Sequence, residues 1–225
     1  MIENMNTREK AIYWTKEAGV LPAIKIKAED NVIPYVRAML EGGVHVVEIT
    51  TTTPNAFKHF EAIEKEFKGE VLTAAGTVLD AATARLAILS GVKILVSPSL
   101  CPDVIATAKR YGMACYAGAF SATEVQKAME LGVDMVKIFP AALGGPKYMT
   151  NLRMVYPEVN LIPSGGVSLE TAGEFIKAGA CAISGARNFF NYEMVKKHGN
   201  GWITEQIKKY IQIVAEARQI APPLP

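Results

Sequence analysis

The sequence predicts a (β/α)8 TIM barrel, an α/β fold in a single domain with an extra N-terminal helix. Three observations carry that prediction. Short β-rich runs alternate strictly with amphipathic helical stretches. The β-rich runs are eight in number, at 20–27, 44–51, 70–77, 92–97, 114–119, 135–139, 161–164 and 180–185. Glycine marks the passage from helix to the next strand in "EGGV", "LSGV", "RYGM", "ELGV" and "KAGA", where a left-handed residue closes a helix without strain. Strict βα alternation implies parallel strands, and 225 residues are near the usual size of such a barrel. An open doubly wound sheet is the alternative. It would carry a G-x-G-x-x-G turn after its first strand, which this chain lacks.

In chain order, residues 6–18 read as a helix capping the bottom of the barrel, within an N-terminal segment 1–19. The barrel core spans 20–187. In the first strand Lys25 and Lys27 alternate with Ile24 and Ile26, so the period of two sends both lysines to one face. If the isoleucines meet the helices, both ammonium groups point into the barrel. The stretch 30–40 has Val32, Val36, Met39 and Leu40 on one side, and 102–111 has Val104, Ile105 and Ala108, both at helical spacing. In the second strand Val46, Glu48 and Thr50 share a face. Residues 188–225 read as C-terminal helices and a tail, with "APPLP" as its loose end.

Composition narrows the function classes. Half of the residues are hydrophobic and the formal charge is +2, without the block of Lys and Arg that marks a nucleic-acid surface. "MIENMNTREK" has no apolar segment of the signal-peptide kind. No apolar run reaches the ~18 residues of a membrane helix. The expectation is a soluble, cytoplasmic protein with neither nucleic acid nor membrane as partner. Cys101, Cys115 and Cys181 are odd in number and widely spaced, and His45, His59 and His198 lack ligand spacing, so neither a disulfide framework nor a metal site is expected.

Chemistry is expected at the C-terminal ends of the strands. "GVDMVKIFPAALGGP" puts Lys137 inside the apolar run 135–139. A lysine there either packs its stem and leads its head to solvent, or serves as a nucleophilic amine. Glu48 ends the second strand as either a partner for a lysine or an acid/base group. Thr77, Pro98 and Phe139 lie at the ends of the third, fourth and sixth strands. Gly165-Gly166 and Gly185 follow the seventh and eighth. They serve as ordinary tight turns or as a phosphate cradle of exposed N–H groups at helix N-termini.

Taken in order, "VLPAIKI", "EGGVHVVEITTTTP", "AAGTVLD", "VSPSL", "VKIFPA", "PSGGV" and "ISGA" resemble the bacterial 2-keto-3-deoxy-6-phosphogluconate and 4-hydroxy-2-oxoglutarate aldolases. These are class I aldolases on (β/α)8 barrels, typically homotrimers. The resemblance covers about 20–186. It implies that Lys137 is the Schiff-base lysine and Glu48 the acid/base glutamate. It implies further that Thr77 and Pro98 line the pyruvate half of the site, that Phe139 flanks the lysine, and that Ser164, Gly165 and Gly166 form the phosphate loop. The reaction implied is cleavage of a 2-keto acid to pyruvate and an aldehyde, with no metal or organic cofactor.

Two departures stand out. Many relatives carry an arginine just after the glutamate, where this chain has Thr52. Others supply it from the first strand, where this chain has Lys25, which is therefore the expected carboxylate ligand. A phosphate-contacting serine of the eighth strand is replaced by Ala186, with Ser184 and Gly185 before it and Arg187 after it. Two alternatives share the fold: a sugar-phosphate isomerase or epimerase with Glu48 as base, and a non-catalytic protein that binds a keto acid or phosphate.

Overall fold

Each helix of the ring buries one stripe of side chains, and the stripes dictate how the helices pack. A computed structural model describes residues 2–220; the expected loose end of the tail lies outside the described residues. The strands are β1 (Val20–Ile24), β2 (Val46–Thr50), β3 (Leu72–Gly76), β4 (Ile94–Val96), β5 (Ala114–Ala119), β6 (Met135–Ile138), β7 (Leu161–Pro163) and β8 (Ile183–Gly185). The helices are α1 (Thr7–Ala18), α2 (Ile33–Gly42), α3 (Ala56–Phe67), α4 (Ala81–Leu89), α5 (Pro102–Arg110), α6 (Ala122–Glu130), α7 (Gly145–Val155), α8 (Leu169–Lys177), α9 (Tyr192–His198) and α10 (Gly201–Ile220). In α3 the buried residues are Ala56, His59, Phe60, Ile63 and Phe67, the i, i+3, i+4, i+7 pattern of a helix lying on a sheet. Start signals are read directly from sequence. Asn6 with Glu9 and Ser121 with Glu124 form capping boxes at α1 and α6, and Asp80 caps α4.

All eight strands are parallel, in the order β7-β6-β5-β4-β3-β2-β1-β8. Bridges Leu161↔Ala180 and Ser164↔Ser184 join β7 to β8 and close the barrel. The fold expected from the alternation is therefore the one observed. The ring of helices is completed by α10, which buries Ile203, Ile207, Tyr210, Val214 and Ala217 and packs against α2 and α8.

The barrel interior is filled at its N-terminal half by Leu21, Val46, Leu72, Ile94, Tyr116 and Met135, as in other barrels of this kind. Helix α1 seals that end. Ala11 joins the interior cluster, with Ile12 and Trp14 against it. The Tyr116 hydroxyl lies 2.9 Å from Thr15 Oγ1 and 3.2 Å from the Ala11 carbonyl. Arg8 pairs with Asp134 at 2.7 Å, which raises its guanidinium above the ordinary value, and Asp134 also accepts the Cys115 N–H at 2.9 Å. Above this plug the interior side chains shrink to Ala23, Ala74, Gly76 and Gly118, leaving the C-terminal half hollow.

The expectation for β1 needs correction. The strand ends at Ile24 rather than Lys27, so both lysines follow it, and only Lys25 reaches the cavity. Lys27 lies in the following loop. Its N–H donates to Asp30 Oδ2 and to the Tyr192 hydroxyl, both at 2.7 Å, and its ammonium sits 5.5 Å from the centre of the Tyr192 ring. The loop takes its direction from these partners and turns Lys27 away from the barrel.

Candidate active site

Glu48 is on β2 and Lys137 on β6, four strands apart and so diametrically opposite in a ring of eight. The barrel brings them together. Lys137 Nζ is 3.3 Å from both carboxylate oxygens of Glu48. Glu48 is only 2% exposed and Lys137 8%. Each charge is desolvated, and each is the other's counterion. Leaving either unpaired in such a place is costly. Of the two readings open for Lys137, the head led to solvent is not the one found.

Glycines make room for this pair. Ala23 and Ala74 are the register neighbours of Glu48 on either side, and Gly118 is that of Lys137. A Cβ on Gly76 would overlap Glu48 Oε1 and lie 2.8 Å from its Cδ. A Cβ on Gly118 would overlap the backbone carbonyl of Pro98, so Gly118 lets the β4 loop close over β5.

The hollow half of the barrel is a cavity of about 460 Å³ that opens at the C-terminal strand ends, a size suited to a small metabolite. Lys137 and Glu48 line it, with Lys25, Thr77, Pro98 and Phe139 around them. On the β7–β8 side it is walled by Ser164, Gly165, Gly166, Ser184 and Gly185. Thr52, also expected there, is not a lining residue. It is exposed and its hydroxyl lies 3.0 Å from Thr50 Oγ1, because β2 ends at Thr50 and the chain turns outward.

Several of these positions are locally strained or unsatisfied. Thr77 has φ 58°, rare for a β-branched residue and typical of residues held for function. Its carbonyl accepts the Thr51 hydroxyl at 2.8 Å, which fixes the turn. Gly165 and Gly166 have φ 80° and 90°, and a Cβ on Gly165 would stand 3.0 Å from the Phe139 ring. Helix α8 begins just beyond this loop, and a glycine loop that leads into a helix N-terminus is a usual setting for an anion. Ser184 Oγ is buried and has no partner among the described residues, a donor left for a ligand.

Residues the sequence reading did not select also line the cavity: Ala23, Thr50, Val167, Ala186, Arg187 and Asn188. Thr50 was within reach, since it shares the face of Glu48 by strand period. Arg187 and Asn188 lie past the end of β8, where no periodicity aims a side chain. The described residues contain no group of three His, Cys, Asp or Glu able to hold a metal ion, and no described helix is long and apolar enough to cross a membrane. The three cysteines are free; burial pushes the Cys115 thiol up to about 12.

Comparisons with known proteins point to one family. The family described as aldolase, KDPG and KHG aldolase, matches residues 12–206. A 2-dehydro-3-deoxy-phosphogluconate aldolase of Treponema pallidum is 35% identical over 158 residues, covering 70% of this chain and 75% of that protein. A 2-dehydro-3-deoxy-6-phosphogalactonate aldolase of Escherichia coli is 31% identical, covering 76% and 84%. Among solved structures, a native KDPGal structure superimposes with TM-score 0.82 at 26% identity, over 89% of this chain and 96% of that one. A KDPG aldolase from Legionella pneumophila, holding pyruvate as a covalent carbinolamine intermediate, gives TM-score 0.78 at 25% identity, over 91% and 97%. With a buried lysine–glutamate pair at the mouth of a parallel barrel and a family match over most of its length, the chain belongs to the KDPG and KHG aldolase family of lyases.

Proposed function

We propose that this chain cleaves a 2-keto-3-deoxy sugar acid, phosphorylated or not, or 4-hydroxy-2-oxoglutarate, to pyruvate and an aldehyde through a Schiff base on Lys137. The observation that carries this reading is the 3.3 Å contact of Lys137 Nζ with both Glu48 oxygens inside the cavity. An ammonium cannot attack a carbonyl, and Glu48 is the acceptor within reach of its proton. The freed amine adds to C2 of the keto acid. Glu48 returns a proton to the carbinolamine oxygen, water leaves, and an iminium forms. Glu48, directly or through water, then takes the proton of the C4 hydroxyl. The C3–C4 bond breaks, its electron pair passes into the iminium, and the aldehyde departs. The enamine is protonated at C3, and water hydrolyses the imine to release pyruvate and Lys137. The carbinolamine in the Legionella pneumophila relative supports the first half of this sequence.

Borohydride reduction in the presence of pyruvate should leave one adduct, on Lys137, by peptide mass spectrometry. An adduct on another lysine, or none, rejects the Schiff-base assignment, and Lys137→Ala should form none. Glu48→Gln should lower kcat by ~10²–10⁴-fold. Gly76→Ala should share that loss and lower the melting temperature as well, because the added methyl displaces the buried Glu48 carboxylate from Lys137. A Gly76→Ala enzyme with parental kcat would show that the carboxylate position is not critical.

Lys25 is our candidate for the substrate carboxylate. It lines the cavity, is exposed, and makes no ion pair among the described residues. A charge-assisted hydrogen bond contributes about 1.5–3 kcal/mol. Lys25→Met should therefore raise KM for the keto acid by ~10–100-fold, and Lys25→Arg should retain most activity. An unchanged KM in Lys25→Met moves the carboxylate elsewhere, with Arg187 next in reach of the cavity.

We also infer a cytoplasmic homotrimer, on the resemblance to the family. Multi-angle light scattering should give three times the chain mass; a monomer at micromolar concentration rejects the trimer.

A further inference from the structure

The end of the barrel opposite the active site holds a second cavity, of about 260 Å³, between the starts of β7 and β8 and the ends of α1 and α10. Four cations line it, Lys16, Arg153, Lys177 and Arg218, and no carboxylate does. Three of the four have no acidic partner among the described residues. Lys16 Nζ donates to Asn160 Oδ1 at 3.0 Å. Arg218 donates to the carbonyls of Glu17 and Cys181, each at 3.0 Å, and of Lys16. Lys177 pairs with Glu174 at 3.0 Å, a residue outside the lining.

Arg153 is the unusual member. It is 7% exposed, and its Nη1 donates to the Val159 carbonyl at 2.6 Å. Its Nε is buried with no partner among the described residues. It lies against Gly179, where a Cβ would stand 3.0 Å from it. Burial lowers the Arg153 guanidinium below its ordinary value. A buried guanidinium without a counterion is costly, and an anion relieves it. Latching α1 to the barrel accounts for Arg218, whose carbonyl partners end that helix. It does not account for the idle Nε of Arg153, nor for four positive groups around one hollow.

We propose that this cavity binds a phosphate group, with the Arg153 guanidinium and the Lys16 ammonium as its principal donors and Arg218 and Lys177 adding charge. Donors arriving from several directions suit a multi-oxygen dianion better than a single carboxylate. The site lies on the far side of the Leu21–Tyr116 plug from Lys137, so its occupant is distinct from any substrate in the catalytic cavity.

The test uses the full chain labelled with ¹⁵N. The Arg153 Nε–H resonance is identified as the one lost in Arg153→Lys or, should that variant not fold, by its proximity to Gly179 protons. Titration with inorganic phosphate should shift that resonance saturably. Lys16→Gln, a change at an exposed residue, should weaken the effect ~10-fold. A parallel titration with glycerol 1-phosphate separates the two sources: a shift with both compounds admits esterified phosphate, and a shift with inorganic phosphate alone restricts the site to the free ion. A resonance unmoved by either at millimolar concentration, or a Lys16→Gln titration equal to that of the parent, overturns the proposal.

Discussion

The ion pair of Lys137 and Glu48 is the constraint around which the barrel is organised. Two opposite charges sit almost without water, on strands that face each other across the ring. Neither is tolerable alone; removal of one partner of a buried pair typically costs about 3–5 kcal/mol. The pair exists only when the barrel is closed, because β2 and β6 do not touch. Closure thus satisfies the charges, and it also assembles the chemistry. The same dependence explains the run of small residues at this level. Ala23, Ala74, Gly76 and Gly118 contribute little apolar burial, and a side chain on Gly76 would displace the carboxylate, one on Gly118 the Pro98 loop.

Stability is therefore drawn from the other end. The interior below the pair is packed with large residues, and α1 closes it through Ala11, Thr15 and the Arg8–Asp134 pair. Fully buried aliphatic and aromatic side chains contribute about 1.5–3 kcal/mol each. They offset the hollow and strained upper half, with its left-handed Thr77 and its unpartnered Ser184 hydroxyl. This division matches the general behaviour of such barrels, in which one face carries function and the other stability.

What was legible in the sequence was whatever the period of a strand or helix governs. Eight alternating runs and the glycine punctuation gave the fold. The face shared by Val46, Glu48 and Thr50 gave the inward carboxylate. Errors appear where a strand stops. Lys27 was aimed inward by an alternation that ends at Ile24, and Thr52 was placed in the site although the chain turns after Thr50. Arg187 and Asn188 went unselected because loop geometry, not periodicity, brings them to the rim. The N-terminal cavity was invisible for a stronger reason. Lys16, Arg153 and Arg218 are separated by well over fifty residues and belong to α1, α7 and α10. Only the closure of the ring makes them neighbours.

The two ends of the barrel handle buried charge in opposite ways, and the contrast bears on what each can bind. At the C-terminal end the buried cation is already paired with Glu48, so that region is internally neutral. The cationic groups that line its rim are Lys25 and Arg187, with the Gly165-Gly166 loop across from them. Lys25 and Arg187 follow β1 and β8, which are paired neighbours with Pro22 opposite Gly185, so both cations arise on one side of the mouth. At the N-terminal end the buried cation, Arg153, has no acidic partner among the described residues. There the described residues leave a buried guanidinium nitrogen without a partner, the feature on which the proposed anion site rests. The first arrangement favours turnover, because a neutral pair can exchange protons and release its product. The second favours retention, because release of the anion restores the uncompensated charge.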